Sequence, residues 1–156
     1  VVIEGKIGYY FGTLQITDIK VKVKQFAPSD LDSVIITKVV ENKEDININN
    51  TDLIGSLVKI SDLTVTGGTD DDKTNAFTIK ASYVNSQGQS VRLDIRVGDN
   101  INLKGSDGRI TSYQYFNGKT IKSLTAIVSY YDYNTDDSNN GYIQMMLTSF
   151  EDIVLE

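Results

Sequence analysis

"AFTIKASYVNSQGQSVRLDIRV", residues 76–97, decides the fold of this chain. Apolar and polar residues alternate on either side of a short polar insert, and β-branched and aromatic side chains fill the apolar places. That period of two marks half-buried strands. The insert "NSQGQ", between Val84 and Ser90, is short and carries a glycine, so the two runs are expected to fold back as a hairpin.

The same alternation runs outward in both directions. "SLVKISDLTVT" (56–66) precedes the hairpin, and "KSLTAIVSYYDY" (122–133) and "GYIQMMLTSF" (141–150) follow it. Clusters of Gly, Asn and Asp ("GGTDDDKTN", "KGSDG", "FNGK", "NTDDSNN") separate them as turns. Five strands with mostly local pairing and one longer crossover, from Asp99 to Lys119, predict an all-β, five-stranded Greek-key barrel of the OB-like kind. An eight-stranded sandwich is the competing arrangement, because residues 1–26 supply a further hairpin. The expected layout is a hairpin over 1–26, a linker with a short helix or strand over 27–55, and the barrel over 56–156. The only proline, Pro28, marks the boundary after the hairpin.

The opening hairpin echoes the end of the chain. "GYYFGTLQITDIKV" (8–21) and "SYYDYNTDDSNNGYIQMMLTSFEDIVL" (129–155) share a Tyr-Tyr pair, a polar turn, Gly-x-[Leu/Ile]-Gln-[Ile/Met] and an Asp-Ile. Weak self-similarity of this kind suits a tandem array, with residues 1–26 as the closing hairpin of a preceding copy. Generic likeness between two Tyr-, Gly- and Ile-containing hairpins is the plainer reading. Lys20, Lys22 and Lys24 on the hairpin read as charged protection of a strand edge, or as phosphate contacts.

Composition narrows the chemistry. The 156 residues include no Cys and no His. Disulfides, thiolate and thiolate–metal chemistry and any His-based catalytic site are therefore excluded. Every clear acidic cluster lies in a loop, so no carboxylate pair is placed for glycoside hydrolysis. "DYNTDDSNN" opens like a calcium loop, but Asp137 stands where Gly is required and Ile143 where the last Glu belongs, so it is not an EF-hand. The loops around Asp70, Asp71 and Asp72, and around Asp132 and Asp136, read as solvated turns. No catalytic residue, metal site or cofactor is expected, nor is a membrane span. The chain begins Val1-Val2 and reads as a processed chain or an excised fragment.

The formal net charge is −6, unevenly spread: residues 75–130 carry seven cations against three carboxylates. Alternation places Lys80 beside Arg92 and Arg96 on one exposed face of the hairpin, with Tyr83 at its end. Arg109, Tyr113, Tyr115 and Lys119 (with Lys104) extend it along the crossover. Cations for a backbone and aromatics for base stacking are what single-stranded nucleic acid requires. The competing reading is a solvated face in which Asp94 neutralises its neighbours.

"DLIGSLVKISDLTVTGG" (52–68), "FTIKASY" (77–83), "SVRLDIRV" (90–97), "YFNGKTIKSLTAIVSYYDY" (115–133) and "GYIQMMLTSFEDIV" (141–154) resemble OB-fold modules of secreted bacterial proteins. Such modules often stand in tandem beside endonuclease/exonuclease/phosphatase catalytic domains. The resemblance covers roughly residues 50–156. It departs from the usual pattern at Thr125-Ala126, where the fourth strand generally shows Thr-Gly. It implies a non-catalytic accessory module of a secreted or cell-surface protein, with adjoining domains as partners. Single-stranded nucleic acid is the expected ligand. The alternative is a structural spacer, or a module contacting carbohydrate or protein.

Overall fold

The computed structural model describes residues 2–10, 13–23, 37–47, 49–101, 103–105, 108–132 and 141–156. Its elements are β1 (Val2–Tyr10), β2 (Thr13–Val23), β3 (Lys38–Val39), β4 (Leu57–Asp70), β5 (Phe77–Val84), β6 (Ser90–Val97), β7 (Lys104–Gly105), β8 (Gly108–Arg109), β9 (Thr120–Tyr131), β10 (Tyr142–Leu147) and β11 (Ile153–Leu155). Among the described residues the only helical pieces are short 3-10 turns. The linker expected to hold a short helix lies partly outside the described residues. Its described part carries β3 and two 3-10 turns, at Lys43–Asp45 and Thr51–Leu53.

The five expected barrel strands are present. They run β4–β5–β6–β10–β9 and close back on β4. Strand β4 pairs antiparallel with β5 and with β9, and β5 antiparallel with β6, whereas β6 and β10 run parallel with Gln144 beside Asp94 and Met146 beside Arg96. This is a closed Greek-key barrel of OB-like topology, with the two-stranded ribbon β1–β2 as a separate sheet. The chain divides into two compact units, Val1–Ile36 with Tyr130–Tyr142, and Thr37–Ser129 with Ile143–Glu156.

Closure depends on β4, which serves both sides of the seam. Leu57 to Thr64 pair with β9, and Thr64 to Asp70 pair with β5. The strand must bend to do this, and its sequence carries the devices. Val58 and Ile60 point inward at even positions, whereas Leu63 and Val65 point inward at odd ones. The phase changes at Asp62, which sits at φ 55°, a region that Asp tolerates better than most residues. Strand β9 changes phase opposite, between Ile121 and Leu124. A bulge at Thr66 and a left-handed Gly67 (φ 148°) turn the rest of β4 towards β5.

Phe77, Ile79 and Ala81 of β5, Leu93, Ile95 and Val97 of β6, and Met145 and Leu147 of β10 fill the interior. The crossover seals one end. Its small hairpin β7–β8 and the 3-10 turn Tyr113–Phe116 insert Leu103, Ile110 and Phe116, all buried, into the same core. Burial of each such side chain contributes about 1.5–3 kcal/mol.

The ribbon shows how far the sequence echo extends. Counted from the tyrosine pair, Ile3, Gly5 and Ile7 match Leu124, Ala126 and Val128; counted from the turn glycine, Ile16 matches Met145. The barrel residues are all buried, whereas Ile7 is 75% exposed and Ile16 54%. The ribbon thus carries the inward pattern of a barrel's closing hairpin on a face open to solvent.

Candidate functional site

The register of the central hairpin builds the expected face. Lys80 stands opposite Asp94, Thr78 opposite Arg96, and Ser82 opposite Arg92. Lys80, Arg92 and Arg96 therefore share the outer surface of β5 and β6. Tyr83 does not join them. It falls in phase with Phe77, Ile79 and Ala81, so it points inward, is buried, and donates its hydroxyl to the Lys43 carbonyl at 3.1 Å. Burial raises its pKa, and the nearby Glu44 and Asp45 carboxylates add to the rise.

The two arginines on this face are paired. Arg92 holds Asp94 in a two-pronged bond, Nε to Oδ1 and Nη2 to Oδ2, both at 2.5 Å. Arg96 donates to the Thr78 hydroxyl at 3.4 Å and approaches the Asp71 carboxylate at 3.5 Å. Asp94 is 5% exposed although it lies on the outer face, beside Gln144 of β10, which is also buried. Guanidinium groups and carboxylates thus alternate across this face. The Asp71 carboxyl is held below the usual range, chiefly by the backbone N–H of Lys73, with Arg96 adding to the effect.

The crossover residues form a second group. Tyr115 is 37% exposed, and the Lys119 ammonium lies 3.4 Å from its ring centre. Its ring meets Phe116 edge-on at 5.2 Å. Arg109 donates to the Asp99 carbonyl at 2.5 Å, and the Asp99 carboxylate takes the backbone N–H of Asn75 at 3.1 Å. Tyr113 has a different role: its ring fills the space that Gly68 leaves open and packs on the core. Lys104 is exposed on β7.

The acidic turn after β4 is more than solvated. Asp70 accepts from the Ser112 hydroxyl at 2.8 Å and from the Tyr113 N–H at 3.0 Å, which anchors the 3-10 turn of the crossover. The other acidic loop, from residue 133 to 140, lies outside the described residues. Among the described residues no three His, Cys, Asp or Glu side chains group as a metal site, and no helix is long and apolar enough to cross a membrane.

No protein-family model, curated protein or solved structure matches the chain.

Proposed function

We propose that the barrel is a binding module without catalytic activity of its own, and that its ligand is an oligosaccharide. The observation that carries this reading is the pairing of Arg92 with Asp94 and of Arg96 with Asp71. Sugar hydroxyls donate and accept at once, so they are matched by guanidinium donors that their carboxylate partners hold in place, with the partly exposed Asp71 carboxylate as an acceptor. A polyanion would have to displace or tolerate those carboxylates, in a chain of net charge −6. OB-like barrels accept either ligand class, so the site and not the fold favours the sugar. The setting belongs to the same proposal: an accessory module of a secreted or surface bacterial protein, beside adjoining domains. It rests on the resemblance to such modules.

One observation favours single-stranded nucleic acid as the second reading. The Arg92 side chain is 59% exposed although it is paired with Asp94. A single titration series separates the two. Isotope-labelled protein would be titrated with soluble glucan, chitin-type and mannan oligosaccharides, and with labelled single-stranded DNA and RNA at low and physiological salt. Saccharide-dependent shifts at the amides of Lys80, Arg92 and Arg96 are expected. Salt-sensitive oligonucleotide binding without a saccharide response would move the assignment to nucleic acid. Silence from both would leave a structural spacer.

A further inference from the structure

A cavity of about 220 Å³ opens beside the crossover and is lined by Gly105, Gly108, Arg109, Thr111, Ser112 and Tyr115 among others. Sites for drug-sized ligands occupy about 300–1,000 Å³, so this one suits a single ring. We infer that it is a subsite for one pyranose ring of the saccharide, an inference that rests on the sugar reading of the barrel.

The walls are preset. Tyr115 cannot swing freely, because Lys119 lies over its ring and Gly105 lies against its phenolic edge. A Cβ built on Gly105 would fall 3.0 Å from Cε2 of that ring and 3.3 Å from Cζ. Gly108, at φ 124°, also keeps its part of the lining free of side chain. An aromatic wall fixed in this way offers an apolar surface to the C–H face of a sugar at little cost in side-chain ordering.

The polar side is also held. Among the described residues the Arg109 guanidinium is held by Asp99, through its carbonyl at 2.5 Å and its carboxylate at 3.7 Å. A guanidinium has five N–H donors, so anchoring at Asp99 orients the remaining ones without consuming them. The Thr111 hydroxyl can donate and accept. The Ser112 hydroxyl donates to Asp70 and accepts from the Gln114 N–H, so it fixes the rim and does not supply a contact. An aromatic wall, an oriented guanidinium and a free-rotating hydroxyl around a one-ring volume make a sugar site.

The test is a chemical-shift titration of the intact labelled protein with glucose, galactose, mannose and N-acetylglucosamine, followed by the oligosaccharides and by nucleosides. At least one monosaccharide is expected to shift the amides of Gly105, Arg109, Thr111 and Tyr115 with a millimolar Kd. Tyr115→Ala is expected to weaken it about tenfold. Gly105→Ala keeps the ring but pushes it off its seat, and is expected to weaken the same sugar with the barrel's other amides unchanged. Oligosaccharide shifts confined to Lys80, Arg92 and Arg96 would overturn the subsite and leave the sugar reading standing. No response to any saccharide would overturn both. Nucleosides shifting these amides where sugars do not would reassign the cavity to a base.

Discussion

Arg92 and Asp94, two residues apart on one face of β6, are joined by two parallel hydrogen bonds, with the carboxylate side chain 6% exposed and the guanidinium 59%. The arginine is thus a lid on a buried charge as well as a surface donor. Removing it alone leaves Asp94 desolvated and unanswered on that side. Arg92→Ala is expected to destabilise the barrel by about 1–3 kcal/mol in urea unfolding, and adding Asp94→Ala should return part of that loss. A double-mutant cycle with no coupling between the two sites would show that the pair is merely superficial.

Gly68 is required by a side chain from another part of the chain. A Cβ there would run into the Tyr113 ring and fall 2.5 Å from the Thr78 carbonyl oxygen. Gly68→Ala should therefore cost about 1–3 kcal/mol, as overpacking does. The companion substitution Gly88→Ala, in the tip of the central hairpin at φ 76°, meets no neighbour and suffers only backbone strain. Thermal melts of the two variants should rank Gly68→Ala as the more damaging.

Acid should loosen the link between the turn at Lys43–Asp45 and the central hairpin. The Glu44 carboxyl is held below its ordinary value chiefly by the Ser86 backbone N–H, with the Ser86 hydroxyl adding to it. A carboxyl depressed in the fold binds its proton more readily in the unfolded chain. Its contribution is therefore present at neutral pH and lost as pH falls through the folded value. Melting curves taken down the acid range should fall less steeply for Glu44→Gln than for the parent. Parallel curves would mean that the contact carries no stability.

The ribbon's apolar face should govern self-association. Ile3, Ile7, Ile16 and Val21 form two cross-strand pairs, and all four are exposed. An isolated two-stranded hairpin is marginal in water, and an apolar one invites association. Ile7→Lys with Ile16→Lys is expected to leave barrel stability within about 0.5 kcal/mol of the parent. The same change should abolish concentration-dependent growth in light scattering. Scattering that persists would place the sticky surface elsewhere.

Strand content and barrel order were legible because alternation is local. In residues 76–97 the period alone gives the pairing, and Lys80, Arg92 and Arg96 land on one face as expected. Tyr83 was legible too: its number shares the parity of Phe77, and an aromatic hydroxyl drew it outward against that count. The rest depended on contacts between distant residues. Nothing periodic in the crossover announces that Leu103, Ile110 and Phe116 seal the barrel. Nor does a run of aspartates announce that Asp70 will anchor Ser112 while Asp71 faces Arg96, 25 positions away.

The C-terminal hairpin supplies both closing seams, β9 against β4 and β10 against β6. Until it has formed, β4 and β6 are open edges, and the strands that must meet are separated by long stretches of chain. Such non-local pairing slows folding to the millisecond-to-second range. On a ribosome the barrel must wait for nearly its last residue, exposing two unsatisfied β edges throughout that interval.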